Sequence, residues 1–387
     1  MIAFVLASKN VTRKRERSIL TIIGVLLAVA STISLISIAE GLYTKVNYEI
    51  NLQNVDLYIL PKSTAFLPAG SIGAVGGSSF GIPYKEVENI NNIPGVEVVM
   101  GITRILANFK KDTGVLVWGV EPEKMAVFFP YFRIVQGRYL ATLSSGELIG
   151  GNKVVKELSL SLGEAINISN KDFVLVGTLA PVDTFEDYAF FSSLKDVMDI
   201  QQTAGVQEIW VKVTQEYRNN IEAVKQAFQQ AVPTCIVKTK QEYLGEANHF
   251  VNLIRLLQYA ISAIGIMIAI TAAMNTMLMS TYERMKEFGT LRAIGASKYV
   301  IFEMVLFESL FLSLIGGSLG VLLGFLGASL FNEALTSLFK ISVPVTCINL
   351  KLIVEAILLS VGIGVVGAII PAVIASRIDI IKTLRWE

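Results

Sequence analysis

Histidine and cysteine are almost missing from this 387-residue chain: His249, Cys235 and Cys347 are the whole supply. Too few ligands exist for a metal site of the usual His and Cys spacings. No disulfide framework can be built either, although a single bridge between Cys235 and Cys347 stays open. Charge of one sign is also lacking, since 33 Lys and Arg face 32 Asp and Glu for a net charge of +1. That balance gives no electrostatic footprint for nucleic acid, and no such partner is expected. No Gly-x-x-x-x-Gly-Lys-Ser/Thr loop occurs, so the chain has no phosphate cradle of that kind. It is not expected to be an enzyme or to hold a cofactor of its own.

The most informative absence is of charge along four stretches. Residues 19–38, 256–282, 309–332 and 356–376 contain no Asp, Glu, Lys or Arg. Each is long enough to cross the ~30 Å hydrocarbon core of a bilayer as a helix. The first exceeds a signal-peptide core and is read as a retained span. A charged side chain in the body of a span would cost ~2.5–3.5 kcal/mol and would mark an ion or proton path. None is expected there, so a self-sufficient ion-coupled carrier is not the reading. Gln258 and Asn275 are the most polar side chains of the spans, and packing hydrogen bonds account for them.

What is present divides the chain as follows. Residues 1–18 form a basic amphipathic segment, 19–38 the first span, and 39–252 a large water-facing domain. Residues 253–281 are the second span, 282–299 a connecting loop, 300–332 the third span, 333–351 a short outer loop, 352–376 the fourth span and 377–387 a tail. Lys9, Arg13, Lys14, Arg15 and Arg17 precede the first span. Arg284, Lys286, Arg292 and Lys298 lie between the second and third, and Arg377, Lys382 and Arg385 follow the fourth. Cationic loops stay inside, so both termini and the 282–299 loop are assigned to the cytoplasm. The large domain is assigned to the outer side of the cell membrane.

The fold class expected is an α-helical membrane protein of four spans, one plus three, carrying an α+β domain split by an inserted β-rich subdomain. Short apolar runs near Val55–Leu60, Val96–Phe109 and Val115–Val120, with a helix at Tyr84–Asn92, make the first α+β part, about 54–120. Glu208–Val213, a helix at 218–231 and Cys235–Thr239 repeat the strand–helix–strand order in a second part, about 205–245. Between them, 121–204 is glycine-punctuated and reads as β-rich. Residues 61–81 have no period and read as a mobile loop. Asp183, Glu186 and Asp187 imitate a carboxylate pair, but a solvated loop is the simpler account.

Small residues recur at helical spacing within the spans. Gly24 and Ala28 share one face of the first. Gly316, Gly320 and Gly324 form a ladder on the third, and Ser360, Gly364 and Ala368 another on the fourth. Such faces let helix backbones approach closely in lipid, either within the chain or across a dimer. Pro371 is a candidate kink in the fourth span.

The 282–299 loop is the most specific stretch. Glu283, Arg284, Lys286, Glu287, Phe288, Gly289, Leu291, Arg292, Ala293, Ile294, Gly295 and Ala296 make a short amphipathic segment. Phe288, Leu291 and Ile294 are expected on one side and charges on the other, with Gly289 and Gly295 permitting turns or close approach. The segment is either an interfacial helix on lipid headgroups or a docking knob for a cytoplasmic partner. Replacing Leu291 and Arg292 with Asp is expected to abolish docking without disturbing the fold.

This loop resembles the signature of the MacB/FtsX-like family of ABC transporter permeases, Glu-Ile-Gly-x-Leu-Arg-Ala-x-Gly-Ala. Glu287, Gly289, Leu291, Arg292, Ala293, Gly295 and Ala296 match it, and Phe288 replaces the Ile. The ending from Pro371 through Ala375, Ser376, Arg377 and Asp379 to Leu384, Arg385, Trp386 and Glu387 also resembles the family's tail. Asp379 stands one before Ile380, where a proline is common. The resemblance implies a permease subunit working as a homodimer or heterodimer with a separate cytoplasmic ABC ATPase. That ATPase would bind the ATP and magnesium, and its closure would drive motion of the outer domains. Export of hydrophobic or peptide-like substrates is the function so implied. Regulation of an outer partner and lipoprotein release are the alternatives. Membrane lipid and a periplasmic adaptor complete the partners considered.

Overall fold

The computed structural model describes residues 15–62, 81–109, 113–141, 145–339, 346 and 349–378. Residues 63–80, Cys347 and the 379–387 tail therefore lie outside the described residues, and with them the loop reading, one end of the candidate bridge and the tail motif. Cys235 is buried as a free thiol. The chain divides into two compact units, a helical one (1–41, 253–331 and 346–387) and a large domain (42–252 with 332–345).

Helix α1 spans Arg15–Leu52, and its 38 residues make a rod of ~57 Å. That exceeds a bilayer core, and the turns from Leu42 onward belong to the large domain. In that domain the chain forms β1 (Leu57–Pro61), β2 (Ile82–Pro83), β3 (Val96–Phe109), β4 (Thr113–Val120), β5 (Ile134–Gly137) and β6 (Glu147–Gly150). It continues with β7 (Ala165–Ile168), β8 (Lys171–Leu179), β9 (Ala189–Ser193), β10 (Gly205–Val206), β11 (Glu208–Val213) and β12 (Cys235–Thr239). The main sheet runs in the order β12-β1-β11-β3-β4-β9-β6-β8-β5, with β7 against β8 and β3. Strand β3 is long because it serves two neighbours. Residues Val96–Ile102 pair with β11 and Thr103–Phe109 with β4. The 121–204 region is joined to the rest through the parallel pairing of β4 with β9.

Both faces of the central strands are covered, which is why β11 is buried at every position, its Glu208 and Lys212 included, each of which is ion-paired. Ile209 and Val211 face a cluster with Val87 and Ile90, and with Val224 and Phe228 of helix Ile221–Ala231. Trp210, between them, faces the opposite side. There it meets Tyr58, Trp118, Phe128, Phe129 and Phe191, together with Val46 and Ile50 from the end of α1. Trp118 and Trp210 pack edge to face at 6.3 Å between centroids. Arg104, cross-strand from Trp118, lies 4.7 Å over its ring and is ion-paired with the buried Glu208.

The acidic run before β9 is divided rather than uniformly solvated. Asp183 is 84% exposed at its side chain, whereas Glu186 and Asp187 are buried. A tight turn, Phe185–Tyr188, carries them inward. The Asp187 carboxylate accepts the backbone N–H groups of Val182 and Asp183 at 2.9 and 2.8 Å.

The helical unit contains the rest of α1, α2 (Lys240–Glu283, whose first turns belong to the large domain), α3 (Met285–Ala293), α4 (Lys298–Phe339) and α5 (Leu350–Ser376). Among the described residues, four helices, α1, α2, α4 and α5, are long and apolar enough to cross a membrane. The glycine ladder of α4 is occupied by α1 of the same chain. A Cβ on Gly316 would lie 3.0 Å from Val25 Cβ, on Gly320 2.8 Å from Val29 Cβ, and on Gly324 3.0 Å from Ile33 Cβ. Gly24 faces Ala272 across a looser 3.5 Å gap, and Ala28 is buried. On α5, Gly364 abuts Ser313, and its carbonyl accepts the Ser309 hydroxyl at 2.8 Å. Ala368 is fully buried. Helix α5 continues through Pro371 to Ser376.

Candidate functional site

The candidate site is the turn between α2 and α4, built around the short helix α3. Helix α2 stops because Arg284 leaves helical geometry (φ −100°, ψ 11°). Its side chain then ties three elements together. Nη1 donates to Glu308 of α4 at 2.7 Å and Nε to Glu287 of α3 at 3.0 Å. Its guanidinium lies 4.9 Å over the Phe288 ring. Phe288 itself is 1% exposed. It packs with Met277, Ile301, Val305, Ala372 and Ala375, drawn from α2, α4 and α5, while Met285 and Leu291 lean on the same cluster.

The far end of α3 is terminated by backbone geometry. Gly295 takes φ +102°, and its N–H bonds the Arg292 carbonyl at 3.2 Å while Ala296 N–H bonds Leu291 at 3.0 Å. This double return is the Schellman arrangement, which requires a residue at positive φ one past the helix cap. Nothing lies within 4 Å of a Cβ built on Gly295, so conformation, not space, asks for glycine. Arg292 Nη1 donates to the Ser376 carbonyl at 2.9 Å, meeting the negative end of the α5 dipole. Helix α4 then starts from Ser297, whose hydroxyl accepts the Val300 N–H at 3.4 Å, a serine N-cap.

The outcome differs from a simple amphipathic helix. Phe288, Leu291 and Ile294 do not share one side: Phe288 is buried and Leu291 half-buried, but Ile294 is 77% exposed. The helical period itself gives the reason, since six residues at about 100° each carry Ile294 about 120° round the axis from Phe288. Ala293, Gly295, Lys286 and Glu287 are exposed, and Arg284 and Ala296 half-buried. Gly289 is buried beside Phe288. Arg292 is half-buried and engaged with α5, so changing Leu291 and Arg292 together also disturbs the support beneath the turn.

Three contributors were not visible in the loop pattern. Tyr299, five positions after Ile294, is 80% exposed and is a second large apolar group of the turn region. Glu308 anchors Arg284 from within α4, one residue before the uncharged stretch begins. An acid at that border, opposite a basic loop, is a signal that charge counting can find. Ser376 contributes only its backbone carbonyl, which no side-chain pattern reveals. Together these groups hold a turn of fixed shape, Ile294–Ser297, on a short helix braced against three long ones. Such a part can present apolar surface to a partner and pass force to α4 and α5.

Comparison with known proteins covers nearly the whole chain. Residues 18–231 match the model of the MacB-like periplasmic core domain, and 259–380 that of the FtsX-like permease C-terminal region. The chain is 27% identical to an uncharacterized ABC transporter permease of Methanocaldococcus jannaschii, over 98% of this chain and 97% of that one. It is 25% identical to the uncharacterized ABC transporter permease YknZ of Bacillus subtilis, over 99% and 98%. To the macrolide export ATP-binding/permease protein MacB of Nitrosomonas europaea it is 23% identical over 96% of its own length, which spans 57% of that longer protein.

Proposed function

This chain belongs to the ABC transporter permeases built on a MacB-like periplasmic core domain, and from that premise we propose that it is the membrane subunit of an exporter driven by a separate cytoplasmic ATPase. The observation that carries the reading is the exposed Ile294 on a turn braced from beneath by Phe288, Arg284 and Arg292. A buried anchor below and an apolar tip above suit a part that docks into a groove on a partner and transmits its movement. The cationic flanks of the spans put this turn and both termini in the cytoplasm, where ATP is.

The subunit acts as a dimer, homomeric or heteromeric. Because the Gly316–Gly320–Gly324 ladder is filled by α1 of the same chain, the dimer seam runs along another face. ATP-driven closure of the partner moves α3, and the helices carry that motion to the large domain. The macrolide exporter among the relatives supports export over regulation of an outer partner, with hydrophobic or peptide-like molecules as the substrate class.

The test is co-purification of the full chain with the ATPase encoded nearest to it, comparing wild type with Ile294→Asp. Capture is expected to fall at least about tenfold, the size of losing one apolar anchor of ~1.4 kcal/mol or more, with thermal stability unchanged. Undiminished capture by a folded Ile294→Asp chain would remove the turn from the docking role.

A further inference from the structure

Two acceptor oxygens that lack a donor lie one helical turn apart in the core of the large domain. Glu49 on the last turn of α1 and Gln53 just past its end are fully buried, and the Gln53 N–H bonds the Glu49 carbonyl at 3.1 Å. Their side chains therefore share one helix face and are within reach of each other. Glu49 Oε2 accepts the Phe185 N–H at 3.3 Å, but its Oε1 accepts nothing. Gln53 Nε2 donates to Glu186 Oε1 at 3.2 Å, while Gln53 Oε1 accepts nothing. Glu186 also accepts from Tyr131 Oη at 2.7 Å and Thr184 Oγ1 at 2.9 Å. One carboxylate is thus supplied with three donors and its neighbour with one.

A buried oxygen without a donor costs ~1–3 kcal/mol, more if charged. One hydrogen atom on Glu49 removes both deficits, because a carboxylic acid donates where a carboxylate cannot. We propose that Glu49 is a proton-binding group of the large domain, its acid hydrogen donated to Gln53 Oε1, and that this proton latches the end of α1 to the Phe185–Tyr188 turn. The latch holds while Glu49 keeps this proton and loosens as rising pH removes it.

Two cations near the pair, Arg104 of β3 and Lys45 of α1, favour the ionised form of Glu49 but act less than its burial does. Arg104 is ion-paired with Glu208 of β11, although its Nε and Nη1 find no hydrogen-bond partner. Lys45 of α1 is partly desolvated, lies 5.8 Å over the Phe185 ring and is repelled by Lys153. Asp187 beside Glu186 adds negative charge, with Asp183 acting on Lys45. Burial pushes the Tyr58 and Tyr131 hydroxyls up, so both stay neutral, and Tyr243 of α2 stacks on Tyr58. Burial first, and the Glu186 charge second, hold the Glu49 carboxyl well above the usual carboxylate range. Burial pushes Glu186 up to about 7 against the pull of its three donors. Both acids bind protons more tightly in the folded domain than in an open chain. Their stabilisation is complete below the ordinary carboxylate range and is lost as pH rises, through about 7 for Glu186 and well above the usual carboxylate range for Glu49.

This inference does not depend on the ATPase reading and is tested without a partner. Hydrogen exchange of the 42–53 segment is followed in the full chain in nanodiscs, from about pH 6 to about pH 9, with intrinsic rates corrected. Wild-type protection should fall as pH rises, by up to about tenfold per pH unit for each proton released on opening, until the acids have ionised. Glu49→Gln, which keeps shape and neutrality, should remove the Glu49 share of that slope, and the infrared carbonyl band of the buried Glu49 acid should vanish with it. An unchanged slope in Glu49→Gln overturns the latch. So does a wild-type spectrum at neutral pH without a protonated-acid band, whether or not any variant folds. Loss of the band in Glu186→Gln but not in Glu49→Gln would move the proton to the wrong residue and also defeat the proposal.

Discussion

The helical unit and the large domain solve the same packing problem with opposite materials. Helices α1 and α4 meet through Gly316, Gly320 and Gly324, into whose notches Val25, Val29 and Ile33 fit. The sheet domain closes around Trp118, Trp210, Tyr58, Phe128, Phe129 and Phe191. The solvent explains the contrast. In lipid, apolar surface gains nothing by leaving its surroundings, so association depends on close contact and backbones must come near. In water, each aromatic ring removed from solvent contributes by its area, and bulk is favoured. Polar groups divide the same way. Buried hydroxyls of the helices bond carbonyls, as Thr276 does to Ala272 and Ser309 to Gly364. The domain interior accommodates charge, as in Arg104 with Glu208.

If bulk carries the domain, removing it should be the most damaging change. Trp210 is fully buried among four aromatic neighbours. Trp210→Ala should cost about 3–5 kcal/mol and lower the melting of the large domain by roughly 10 °C, measured by tryptophan fluorescence or calorimetry. A loss below about 1 kcal/mol would mean that the cluster relaxes to refill the space, and the contrast with the helices would weaken.

The opposite operation breaks the helical unit. Gly320→Ala places a Cβ 2.8 Å from Val29 Cβ and 2.9 Å from the Leu26 carbonyl, an overpacking cost of about 1–3 kcal/mol. Gly362→Ala is the control, since nothing lies within 4 Å of its Cβ. It should be neutral or stabilising by up to about 1 kcal/mol. Unfolding in mixed micelles separates the two, and equal effects would show that the notch is not filled as described.

The same contrast explains what could be read from the residues alone. Strands Val96–Phe109, Glu208–Val213 and Cys235–Thr239 are visible in the sequence at their observed bounds, because each is a short run rich in β-branched residues bounded by turn residues. The long helices declare themselves by missing charge. What escaped were features set by a distant partner. Glu186 is inside because the Phe185–Tyr188 turn meets the end of α1 at Phe185 and Glu49, 136 positions apart. Ile294 is outside because about 100° per residue carries it about 120° round the axis from the buried Phe288. Local pattern contains the second fact but not the first.

The smallest expected effect sharpens the comparison most. Arg292 lies on the matched signature of the loop, yet its visible task is to hold α3 to the end of α5 through the Ser376 carbonyl. A half-buried cation at a helix C-terminus contributes about 0.3–1 kcal/mol, so Arg292→Gln should cost no more than about 1 kcal/mol. If Arg292 is a brace and Ile294 the contact, Arg292→Gln should weaken ATPase capture only in proportion to that loosening. Arg292→Lys, which keeps the charge and a donor, should recover most of it. If capture instead collapses in Arg292→Gln and is not rescued by lysine, the guanidinium itself reaches the partner. The brace and the contact would then be one residue, and the division between a buried anchor and an exposed tip would fail at that position.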